Sequence, residues 1–253
     1  MYCTMVFYFN RVGIISRDEL KESIKEINDL CHTNYKSFEI IMDSSLTTNS
    51  IYSKIKKLEQ INDKDESLIN EVYSDKTGLM LFLANYNDSE SVCERITIRF
   101  CNPSIKMASN ASVSYRINNI AKSALCDYKR VLKVFYRIGW RIDNSFACYH
   151  NSPNFPFALN GIHYSVFNSK ETKNAIEHER KHFHRNYVGS IQDVYQANTI
   201  SMNHLSEEKL KMLEEICGKK CEIVEDNFYF DCLARGDSLQ IDKAKRKRLR
   251  ELF

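Results

Sequence analysis

Glycine and proline are scarce in this sequence, at seven and three among 253 residues. That scarcity excludes collagen-like, linker-dominated and low-complexity chains, which depend on those residues. It also makes a phosphate-cradling loop of the P-loop or dinucleotide type improbable, and neither motif occurs. The G-x-S-x-G turn that presents a nucleophilic serine is missing as well. No run of about 18 apolar residues exists, so no membrane span is expected. Neither charge sign is in large excess, with 36 Lys and Arg against 33 Asp and Glu. What remains is ordinary for a globular chain able to bury a core: 43% hydrophobic, 27% charged and 11% aromatic residues.

The nine cysteines are scattered and odd in number. A secreted protein usually pairs them evenly, so reduced thiols and a cytoplasmic location are the expectation. The start, MYCTMVFYFNRVG, has no basic leader and no small-residue cleavage site, and reads as a strand rather than a signal peptide. Positive charge is concentrated at the other end. Lys243, Lys245, Arg246, Lys247, Arg248 and Arg250 face only Asp242 and Glu251, while the whole chain carries +3, so the body is close to neutral. A nucleic-acid binder usually spreads its positive charge over a face.

Cys3 to Phe9 is strand-like in composition. A helix start follows: Ser16 as N-cap and Glu19 three residues on make a capping box, with Ile15 and Leu20 as a hydrophobic staple. Leu20, Ile24, Ile27 and Cys31 then recur at helical spacing as a buried stripe. Residues 50 to 73 read as two short helices broken at Asn62 to Glu66. Leu79 to Tyr86 and Arg95 to Cys101 read as an antiparallel hairpin, with Ile96, Ile98 and Phe100 alternating with polar residues. Ser112 to Ile117 supplies a further strand.

An amphipathic helix is expected from Ile120 to Ile138, with Ala121, Leu125, Tyr128, Leu132 and Phe135 inward and Gly139 as its stop. Trp140 opens a strand to about Tyr149. Asn151 to Asn160 is a loop. His163 to Phe167 is a strand and Glu171 to His184 a polar helix. A strand over Thr199 to Leu205 precedes a helix, Glu207 to Cys217, capped by Ser206. Glu222 to Leu233 reads as a strand or hairpin before a basic terminal helix. No βαβ rhythm and no fixed-period repeat appears. The expectation is one α+β domain over residues 1–253, a mainly antiparallel sheet packed with amphipathic helices.

Three strings invite a chemical reading. His178-Glu179-Arg180-Lys181-His182 matches H-E-x-x-H, in which two imidazoles hold zinc while the glutamate activates water. Both intervening residues are basic and no Gly and His follow at the metzincin spacing, which favours a solvated charged helix. Cys217 and Cys221 lack a second ligand pair for structural zinc. Cys148 stands beside Tyr149 and His150, and neighbours on a strand face opposite ways, so no direct Cys–His dyad is expected. Asp63, Asp65 and Glu66 lack the Gly and terminal Glu of a calcium loop and read as a solvated turn or an acidic contact patch.

One resemblance gives direction. The segment GLMLFLANYNDSESVCERITIRFCNPSIKMASNASVSYRI, the helix end YRIGWRIDNSFACYH and the closing NFYFDCLARGDSLQIDKAKRKRLRELF follow an order of parts that resembles the immunity-protein-52 family of bacterial polymorphic-toxin systems. Relative to that pattern, Asn151 to Asn198 stands as an insertion. The resemblance implies a cytoplasmic antitoxin that binds a cognate toxin, often a nuclease, and blocks it by occupying its surface. It carries over no catalytic residue, so neither enzyme activity nor a cofactor is expected, and the oligomeric state stays open. The aromatics Tyr149, Phe155 and Phe157 are the candidate toxin contacts. Two alternatives stand beside this reading: a zinc hydrolase using His178, Glu179 and His182, and a mobile-element accessory protein touching nucleic acid through Lys245, Arg246, Lys247 and Arg248.

Overall fold

Both faces of the first strand are buried, and the chain places it at the centre of a sheet. β1 (Tyr2–Arg11) turns Cys3, Met5, Phe7 and Phe9 to one side and Thr4, Val6 and Tyr8 to the other, all buried. The computed structural model describes residues 1–11, 16–33, 37–43, 51–57, 60, 62–64, 66–67, 78–84, 95–100, 109–117, 122–151, 173, 191, 193–234 and 239–253. After β1 come α1 (Arg17–Cys31), β2 (Ser37–Asp43), β3 (Ile51–Lys57), β4 (Gly78–Ala84), β5 (Arg95–Phe100) and β6 (Ser109–Arg116). Next are α2 (Lys122–Arg137), β7 (Arg141–His150), β8 (Ala197–Ser201), α3 (Glu207–Cys217), β9 (Glu222–Val224), β10 (Asn227–Asp231) and α4 (Lys243–Leu252).

The ten described strands form one sheet in the order β3-β2-β4-β5-β6-β1-β7-β8-β10-β9, and each pairing among them is antiparallel. The fold is α+β. α1 and α2 cover one face, where Leu20, Ile24, Ile27, Tyr128, Val131, Leu132 and Phe135 meet Met5, Phe7, Phe9, Ile96, Ile98 and Val113. The other face is covered at the β8–β10 end by α3 and α4, through Leu213, Leu249 and Leu252 against Ile200, Phe228 and Phe230. Among the described residues no helix is long and apolar enough to cross a membrane.

Local signals explain the helix limits. Ser16 caps α1 in a complete capping box with Glu19. α2 ends in a Schellman turn: Gly139 sits at φ +81°, and the Trp140 and Gly139 amides donate to the carbonyls of Phe135 and Tyr136, at 3.0 Å each. That turn folds Trp140 back onto its own helix. The indole stacks on Phe135 at 5.3 Å and meets Phe9 edge-on at 4.7 Å, fully buried.

Three expectations need correction. Ile51–Lys57 is not a helix; it is β3, paired along its length with β2. Ile51 and Ile55 fit a four-residue helical period as well as the two-residue period of a strand, and pairing with the distant Ser37–Asp43 decides between them. Within Asn62 to Glu66, expected as a break, the described residues Asp63, Lys64 and Glu66 are themselves helical. The strand expected at Thr199 to Leu205 runs from Ala197 to Ser201 and gives way to a 3-10 turn over Met202–His204. The staple residue Ile15, the turn at Asn87 to Glu90, and the elements expected at 152–160, 163–167 and, apart from Lys173, 171–184 lie outside the described residues.

Candidate functional site

The face of β1 turned away from α1 and α2 carries a polar seam across three strands. Thr4 on β1 lies opposite Ser114 on β6 and opposite Cys148 on β7. Its hydroxyl is 3.0 Å from Ser114 Oγ and 2.8 Å from His150 Nε2. The Cys148 thiol donates to the Thr4 carbonyl at 3.5 Å, and the His150 ring stacks on Tyr2 with centroids 6.0 Å apart. Ser112, two residues from Ser114 on the same face, is 2% exposed and its hydroxyl makes no hydrogen bond. Cys148 and His150 therefore do share a face. The adjacency argument separates Cys148 from Tyr149 only, and the two-residue period was the signal that places His150 with Cys148. A hydroxyl–imidazole chain of this kind can relay a proton. With Thr4 at 0% and His150 at 4% exposure, it is sealed from bulk water and ties β6, β1 and β7 in register.

The opposite face has a matching hydroxyl cluster. Tyr128 Oη is 2.6 Å from Ser145 Oγ, which is 2.5 Å from Thr199 Oγ1. Burial pushes the Tyr128 phenol above its ordinary value, against the hydrogen bonds to Ser145 and Thr199, so it stays protonated. Where β1 faces β7, Tyr8 lies opposite Asn144 and Phe9 opposite Ile142, leaving Asp143 bulged out of the ladder. The bulge aims its buried carboxylate at His204 in the turn after β8, and Asn144 Nδ2 also donates to it at 3.2 Å.

Ionic contacts concentrate around α4. Asp193 accepts from Arg250 Nε and Nη2 at 2.7 Å each, from Arg246 Nη2 at 2.8 Å and from the Val194 amide at 2.7 Å. Burial raises the Asp193 pKa, but the Arg250 hydrogen bonds and the charges of Arg246 and Arg250 outweigh it and hold the carboxyl below its ordinary value. Asp231 pairs with Lys219 at 2.6 Å and Lys245 at 3.3 Å, and is likewise held low despite burial.

These positions sort the residues singled out by sequence. Tyr149 is not on an exposed loop: it is the penultimate residue of β7, 6% exposed, and packs into the α1–α2 core because its alternation partners Ala147 and Ser145 face that way. Phe155, Phe157, His178, Glu179 and His182 lie outside the described residues. Of the four basic tail residues, Lys245 and Arg246 turn inward onto Asp231 and Asp193, while Lys247 and Arg248 are exposed. Asp63 pairs with Arg17 at 2.8 Å, and Glu66 accepts the Arg17 amide at 2.8 Å, so these carboxylates cap the positive end of α1. Cys217 and Cys221 are half-buried and pack against the apolar cluster under α3 and α4. Among the described residues no three His, Cys, Asp or Glu side chains converge as a metal site requires.

Neither the protein-family models nor the curated proteins contain a match to this chain. Among solved structures, it is similar to the Pseudomonas aeruginosa T6SS protein PA0821, with a TM-score of 0.51 and 10% identity over 99% of this chain and 71% of that one. At that identity the likeness is one of fold: this α+β chain, nearly from end to end, follows the architecture of a bacterial T6SS protein.

Proposed function

We propose that this protein is an antitoxin that binds a cognate bacterial toxin and neutralises it by covering its working surface, with no reaction of its own. The observation that carries the reading is the fold shared with a T6SS protein over 99% of the chain. The immunity-protein-52 resemblance points the same way. A continuous sheet backed by helices on both faces supplies a rigid platform, which lowers the ordering cost of association. We place the contact at the α3–β9 end. Met202, Met212 and Ile223, at 40%, 47% and 58% exposure, are three of the four large apolar side chains that stand open among the described residues. Exposed apolar side chains are what an interface core draws on.

The test is genetic and biochemical. The adjacent reading frame of toxin type is expressed from an inducible promoter until it arrests growth. Co-expression of this chain should restore growth, and the two purified proteins should elute together. Replacing Met212 and Ile223 with aspartate should abolish both effects while leaving unfolding within about 0.5 kcal/mol, as usual for surface changes. Persistent arrest with no complex overturns the proposal.

A further inference from the structure

The open apolar surface of this chain is built largely from thioethers. Of the four large apolar side chains that stand exposed among the described residues, three are methionines, Met1, Met202 and Met212, and the fourth is Ile223. Met5, inside β1, is fully buried. Met202 opens the 3-10 turn after β8, and its amide donates at 2.9 Å to the carbonyl of Asp226, in the turn that joins β9 to β10. Met212 follows the helical course of α3 beside Leu213, which is buried against Ile200 and Phe228. Ile223 on β9 lies opposite Phe228 on β10, and Phe228 lies opposite Ile200 on β8. Directly opposed residues share a face, so Ile223 continues to the sheet edge the apolar row on which α3 packs. A leucine would cover as much apolar area as either methionine. What sets the thioether apart is that it can be oxidised and restored.

We propose that Met202 and Met212 form a reversible oxidation site for peroxides, and that their sulfoxides release the partner from the α3–β9 end. The partner in this inference rests on the antitoxin reading; the chemistry does not. A sulfur lone pair takes one oxygen of hydrogen peroxide and the O–O bond breaks. The transferred oxygen gives up its proton to the departing hydroxide, which leaves as water. Sulfur loses two electrons and peroxide gains them. Each methyl thioether thus becomes a polar sulfoxide, while the sealed Met5 is out of reach. A sulfoxide oxygen is a hydrogen-bond acceptor. Pressed under an apolar partner surface it has no donor, and leaving a buried polar group unpaired weakens binding by at least about tenfold. Thiol-dependent sulfoxide reductases, one for each sulfoxide epimer, reverse the change.

The experiment treats the purified full-length chain with hydrogen peroxide, then with dithiothreitol, which returns oxidised cysteines to thiols and leaves sulfoxides in place. Peptide mass spectrometry follows the added oxygen at each methionine, and titration with the toxin from the adjacent reading frame gives Kd before and after. Met202 and Met212 should oxidise at least about tenfold faster than Met5. Kd should rise at least about tenfold and return after treatment with both reductases. With Met202→Leu and Met212→Leu combined, the ratio of treated to untreated Kd should stay within about twofold, because no sulfoxide forms at the contact. Met5 oxidising as fast as the pair, an unchanged Kd with both sulfoxides formed, no recovery after reduction, or the same peroxide effect in the leucine variant would each overturn this inference and leave the antitoxin reading standing. No complex from the untreated chain would overturn both.

Discussion

Replacing Asp193 with asparagine tests how much of the fold hangs on the clamp between α4 and the segment leading into β8. The carboxylate holds four donors within 2.8 Å, and its side chain is 10% exposed. Asparagine keeps the Oδ1 acceptor for the Val194 amide and Arg250 Nε. It puts an NH2 group where Oδ2 faced the Nη2 groups of Arg246 and Arg250, so two charge-assisted bonds become donor–donor contacts. Each such bond contributes about 1.5–3 kcal/mol. The Arg250 side chain is 51% exposed and can rehydrate, which discounts its share. The expected loss is therefore about 2–3 kcal/mol, read from urea unfolding at pH 7 followed by fluorescence of the single tryptophan. The pH dependence has a definite sign. The folded-state pKa lies below the unfolded value of about 3.9, so the stabilisation is complete above that value and is lost as pH falls through the folded pKa. The difference between wild type and Asp193→Asn should be flat from pH 7 to 5 and shrink below about pH 4. A variant as stable as wild type at pH 7, or a difference that persists unchanged to pH 2, refutes the reasoning.

Three further outcomes follow from the same geometry. Trp140→Ala removes the buried indole from between Phe9 and Phe135 and should cost about 3–5 kcal/mol in the same titration, read by circular dichroism because the fluorophore is gone. Ser16→Ala removes the hydroxyl that accepts from the Glu19 amide, leaving only the backbone arm of the capping box on α1, and should cost about 1 kcal/mol, with chemical denaturation as the measure. Arg246→Met should lower the melting temperature by several degrees, because its guanidinium serves Asp193. The exposed Arg248→Met should leave it within about a degree, and equal effects would contradict the assignment of inner and outer faces on α4.

What was legible in the sequence is what short-range chemistry determines. The capping box at Ser16, the Ser206 cap and the stop at Gly139 each depend on residues within one turn, and each appears where its residues stand. The α1 stripe Leu20, Ile24, Ile27 and Cys31 is buried as its spacing requires. β2 and β3 carry no such local signal, because their identity comes from pairing with each other and with β4. No local window holds that information. The polar seam is an intermediate case. The period of two is enough to put Cys148 and His150 on one face, against the expectation of no Cys–His pairing there, but Thr4 joins them from 144 and 146 residues away, through a strand register that composition does not encode.

The basic tail shows why counting charges misleads about partners. Its cations read as a phosphate-contacting patch only if they are free, yet Lys245, Arg246 and Arg250 are spent on Asp231 and Asp193, from 14 to 57 residues away in sequence. Asp231 ends β10 and Asp193 lies in the segment leading into β8, so the apparent asymmetry between a neutral body and a positive end is in part an internal ion-pair interface cut in two by chain order. Lys243, Lys247 and Arg248 remain on the outer face of α4. Three exposed cations release few counterions on meeting a phosphate backbone, and the salt dependence of any such binding would be correspondingly shallow. The inward turn of α4 follows from its apolar positions: Leu249 and Leu252 must reach Phe228 and Phe230, and Arg246 and Arg250, one turn apart on the same side, are carried in beside them.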